Sequence, residues 1–96
     1  MALPFTTNKS LTDGLWTILA IGPTATPVFI EVKAGNVEYA IVPASLGGVD
    51  SQVAIPDLDG HHLPNTTSQG IGLTDNTQAF AVKATAGNAR ISYSGG

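Results

Sequence analysis

The chain has 96 residues, of which 43% are hydrophobic and only 11% charged, with a net charge of −3. That length suits one domain with a single modest core, and the apolar share excludes a disordered chain. The four basic residues, Lys9, Lys33, Lys83 and Arg90, are scattered, so no basic patch exists for a phosphate backbone or an anionic membrane surface, and neither nucleic acid nor membrane is an expected partner.

The charged share is less than half the usual value of about 25%, which suggests that a partner covers part of the surface. No cysteine is present, which excludes disulfides and thiolate metal sites. No segment approaches the ~20 apolar residues of a membrane helix. The opening MALPFTTNKS lacks a basic region followed by an apolar run, so synthesis in the cytoplasm without signal-peptide export is expected.

Gly, Pro, Thr, Asn and Ser break the sequence every few residues, and the stretches between are short and rich in Val, Ile, Thr and aromatics. That pattern predicts an all-β domain with little or no helix. Residues 1–13, carrying Pro4, Thr6, Thr7, Asn8 and Ser10, read as a poor strand and are expected to form an extended N-terminal arm, with 14–96 as a single β domain.

The first strand is predicted over 15–22. Trp16, Ile18 and Ala20 share one face and Leu15, Thr17, Leu19 and Ile21 the other, and both faces are apolar enough to be covered. In 27–34, Val28, Ile30 and Val32 should face inward, with Phe29, Glu31 and Lys33 outward. Gly35-Asn36 reads as a tight turn to a hairpin partner over 37–43. The turn-rich region 44–76 is too long for a structureless loop and should hold one or two short strands. The chain closes with 78–85 (Phe80, Val82 and Ala84 in, Lys83 out), a turn at 86–88, and 89–94 (Ile91 and Tyr93 in, Arg90 out). Two hairpins joined by a longer connection predict a small antiparallel β-sandwich or a jelly-roll-like barrel.

The most chemical-looking segment is IPDLDGHHL, residues 55–63. If extended, Asp57, Asp59 and His61 would share a side and could hold a divalent cation. Gly60 disfavours a regular extended run, and adjacent His61 and His62 would point to opposite faces. The spacing matches neither HExxH nor a calcium loop. The plainer reading is a turn in which the aspartates bond to nearby amides, with no metal and no cofactor. No GxSxG elbow positions a nucleophile, and Glu31 and Glu38 read as solvated outer-face residues rather than as paired catalytic carboxylates. No enzymatic activity is expected. Trp16, Tyr39 and Tyr93 could make a sugar-stacking platform, but at strand positions they read as core or interface residues.

The order LWTILAIGPTATPVFIEV, VEYAIVP, DGHHL, AFAVKATAGNARISYS resembles small virion proteins of tailed bacteriophages. Those open on a Trp-containing strand, pass a Gly-His-hydrophobic turn and end in a hairpin of the YARA…G.A.I.VS kind. Here IPDLDGHH replaces an Ala-rich run, and SLGGVDSQVA lengthens the middle. The resemblance implies a β-sandwich virion structural protein without catalysis, present in many symmetric copies. Its first expectation is a capsid decoration or cement protein at the virion surface, bound as a homotrimer to the outside of the major capsid protein. Leu3, Pro4, Phe5, Trp16, Phe29 and Tyr39 are then the candidate interface residues. The alternative it leaves is a carbohydrate-binding module or short fibre subunit that contacts a surface glycan.

Overall fold

The computed structural model describes residues 3–24, 26–55, 58–64 and 67–95. Among these, the strands in chain order are β1 (Leu3–Leu11), β2 (Trp16–Ile21), β3 (Val28–Pro43), β4 (Gln52–Val53), β5 (His61–Leu63), β6 (Ser68–Ile71) and β7 (Gln78–Gly95), with one 3-10 turn at Ala44–Leu46. All strand pairs are antiparallel. The protein is therefore all-β, as the short alternating stretches predict.

The frame is the pair of long strands. β3 and β7 run side by side from Phe29↔Ser94 to Pro43↔Gln78. Both are interrupted at the same level. Ala34 pairs with Arg90 and Asn36 with Thr85, so residues 86–89 stand against Gly35 alone. Gly35, Ala86 and Gly87 adopt positive φ (83°, 58° and 113°), the conformation that glycine takes without steric cost. A bulge of this kind bends the strand that carries it and sharpens its twist. A Cβ on Gly35 would also sit 3.0 Å from the Ala89 Cβ, so the two bends are packed against each other.

This corrects the expectation of two local hairpins. Residues 27–34 and 37–43 do not pair with each other, nor do 78–85 and 89–94. Each set forms one strand, and the two strands pair together. A glycine at positive φ serves a tight turn and a bulge equally well, and long-range pairing decides between them.

The bend divides the sheet into two halves. One joins β1, the end of β7, the start of β3 and β6. The other joins β4, β2, the start of β7, the end of β3 and β5. Their inner faces meet in the main core, where Val28, Ile30, Val32, Ile91 and Tyr93 pack with Leu19, Val37, Phe80, Val82 and Ala84. The inward positions in 27–34, 78–85 and 89–94 are those expected from alternation.

The N-terminal segment, expected as an extended arm, is extended and lies along the sheet of its own chain. Residues 3–11 form β1 on the edge of β7, with Lys9↔Ile91 and Leu11↔Ala89 in register, and Leu11 is buried. An edge strand tolerates Pro near its start and polar side chains on its solvent side, which is why the segment reads as a poor strand in isolation. The region 44–76 holds β4, β5 and β6, each of four residues or fewer.

Candidate functional site

The outer faces of the two halves are built differently. Across the second half, Val53, Trp16, Lys83, Glu38 and His62 lie opposite one another in adjacent strands, so their side chains share the outer face. The next rows are small and apolar: Ile18, Ala81 and Ala40, then Ile21, Ala79 and Val42. The connection after β3 lies over them and contributes Ala44, Val53, Ile55 and Leu58 to a second core around Trp16. Backbone bonds fix it in place, from Ile18 N to the Ser51 carbonyl (3.0 Å) and from Asp50 N to the Ile18 carbonyl (2.7 Å). β2 is thus covered on both sides, as expected, but a register shift between Ile18 and Ala20 exchanges the expected faces of two residues, so that Ala20 packs on the main core and Ile21 on the second.

Gly60 explains the histidine segment. A Cβ there would lie 2.7 Å from the Trp16 ring and 2.8 Å from the Tyr39 carbonyl, so only glycine lets the connection cross the indole this closely. Its amide donates to Glu38 Oε1 (3.2 Å). Lys83 Nζ stands 3.7 Å from the same oxygen and 5.0 Å from the Trp16 ring centroid, a cation–π arrangement at the rim of the second core.

Trp16 is 1% exposed and so offers no contact surface in this chain, which corrects its place among the interface candidates. Tyr93 lies in the main core. Tyr39 is half-buried between Phe80 (6.0 Å between centroids) and His61 (5.1 Å). With Trp16 and Tyr93 buried, the three aromatics do not form a sugar platform.

His61 pairs with Tyr39 and His62 with Glu38, so the two imidazoles do point to opposite faces. Asp59 is exposed, and Asp57 lies outside the described residues. Among the described residues, no three His, Asp or Glu side chains come together as a metal-holding group.

Across the first half, Asn8, Ser92, Glu31 and Ser68 form one row, and Ser94, Phe29 and Gly70 form the next. Phe29 is 59% exposed. Its ring rests on Gly70, whose added Cβ would meet Cε1 at 3.0 Å. Beside it runs a shallow groove of about 330 Å³ lined by Thr6, Phe29, Glu31, Ser68, Ser92 and Ser94. Glu31 accepts from Lys33 Nζ at 2.7 Å, and Ser92 Oγ is bonded to Asn8 Oδ1 at 2.6 Å.

Of the interface candidates with described side chains, Phe29 is therefore the exposed aromatic. Leu3, Pro4 and Phe5 have backbone within β1, but their side chains lie outside the described residues. Sequence reasoning identified Phe29 and Glu31 as outward. It missed Thr6, Ser68 and Ser94 as their neighbours, because the pairings of β3 with β6 and with the end of β7 leave no local signature.

The fold and this site together define an all-β chain with one outer sheet face roofed and the other open and hydroxylated. No protein-family model, curated protein or solved structure matches it.

Proposed function

We propose that the chain is a virion structural protein of a tailed bacteriophage, a capsid decoration protein that binds the outside of the major capsid protein and stabilises the head. The reading starts from the sequence resemblance and from the low charge. The observation that carries it is β1, a nine-residue strand paired to β7 on one side only among the described residues. Its outer edge presents unpaired amides and carbonyls, the groups to which an extended segment of another chain adds as a further strand.

Mechanically, each bound copy ties neighbouring capsomers together. Binding to the assembled shell and not to the opened one stabilises it by mass action, so stability rises with occupancy. Self-association as a homotrimer belongs to the same reading. Besides Phe29, the large apolar side chains left exposed among the described residues are Ile41, Leu46 and Val49, at the end of β3 and just after it, and they supply a surface for that contact.

Virions stripped of the protein and then reloaded provide the test. Reloading with the full chain should raise the temperature of DNA release, and reloading with a chain lacking residues 1–5 should not. An unchanged release temperature between stripped and fully reloaded heads would overturn the cement role.

A further inference from the structure

We infer that the groove beside Phe29 is a binding site for a neutral saccharide. Phe29 offers an exposed ring with one side resting against Gly70, a contact that limits its rotation into solvent. An aromatic face fixed in this way suits the C–H side of a pyranose ring, which is apolar on that side and polar around its rim. The rim would meet polar groups on the adjoining row. The Glu31 carboxylate has two oxygens and about four acceptor positions. One oxygen takes the Lys33 ammonium at 2.7 Å, which leaves capacity for a vicinal diol. Thr6, Ser68 and Ser94 bring hydroxyls that both donate and accept.

Other occupants fit the groove less well. A protein partner would need an apolar centre of several side chains, whereas among the described side chains the groove's one exposed large apolar group is the Phe29 ring. A phosphate backbone would meet Glu31, and Lys33 is already held by that carboxylate. A volume of about 330 Å³ is at the lower end for ligand sites and suits one or two sugar rings. An open groove of this kind binds weakly, with a dissociation constant on the order of millimolar. Avidity from many copies on one particle would multiply it. That last step rests on the virion reading, but binding at the single site does not.

The test is an amide chemical-shift titration of the intact chain with maltose, cellobiose, lactose and N,N′-diacetylchitobiose. At least one should shift the amides of Phe29, Glu31, Ser68 and Ser94 as a cluster. F29A should weaken that binding roughly tenfold or more while leaving the rest of the spectrum in place. E31Q, which keeps the ring, should weaken it less. No shift with any of the four sugars, or shifts that persist in F29A, would overturn the inference. The proposed capsid role fails or stands separately, because it is read from the DNA-release temperature of stripped heads reloaded with the unaltered chain, whether or not a sugar binds.

Discussion

The same two strands present two unlike outer faces on either side of their shared bend. Before the bend, β7 turns Ala79, Ala81 and Lys83 outward, and β3 lines up Ala40 and Val42 beside them. After it, β7 turns Arg90, Ser92 and Ser94 outward, opposite Ala34, Glu31 and Phe29 of β3. Alanines leave room for a chain to lie directly on the sheet, and the connection through Gly60 does so, closing over Trp16. Serines and charged groups are better left to water or to a polar ligand. A change of outward residue type at the bulge is therefore enough to make one face a second core and the other a surface.

The sharpest way to break this contrast is to empty the roofed face. Trp16→Ala removes the largest fully buried side chain and should cost about 3–5 kcal/mol. Against a total stability of about 5–15 kcal/mol for a domain, the loss should appear as a large fall in the urea midpoint. Next comes the glycine that admits the connection. Gly60→Ala drives a methyl against the Trp16 ring and the Tyr39 carbonyl and should cost about 1–3 kcal/mol. Gly48→Ala is its control. Nothing lies within 4 Å of a Cβ at that position, and its effect should stay within about 0.5 kcal/mol. Phe29→Ala, on the open face, should likewise move stability by no more than about 0.5 kcal/mol. A cost near that of Trp16→Ala would mean that the ring is part of a core after all.

The smallest effect belongs to neither face. In the turn before β7, Asp75 accepts hydrogen bonds from the Thr77 hydroxyl and from the Thr77 amide at 2.8 Å. These bonds hold its carboxyl below the ordinary value of 3.8. A depressed folded-state pKa contributes stability above the unfolded value, lost as pH falls through the folded one. Asp75→Asn should therefore flatten the acid limb of the stability–pH curve below about pH 3.8 slightly, without changing stability trends near neutrality.

Much of the fold is legible from alternation alone. The inward set Val28, Ile30, Val32, Phe80, Val82, Ala84, Ile91 and Tyr93 is read directly from period two, and the two apolar faces of 15–22 announce that β2 is covered twice. Pairing is not legible in the same way. Gly35-Asn36 and residues 86–88 satisfy a hairpin turn locally, and only the contact between distant bends makes them a double bulge. The roof over Trp16 was hidden for a related reason. Its residues, Val53, Ile55 and Leu58, are isolated apolar positions in a polar run, and their partners come from β2, β3 and β7. Gly60 stood in view beside two histidines, but its meaning comes from the indole beneath it.

The difference between the faces can be measured in a single experiment, hydroxyl-radical footprinting of the folded chain with residue-level readout. Indole is intrinsically more reactive than phenyl, and the chain has one Trp and three Phe. In the folded protein the order should invert, with Phe29 oxidised early and Trp16 protected until the chain unfolds. Rapid oxidation of Trp16 at native protein concentration, ahead of Phe29, would contradict a roofed second half and an open first one.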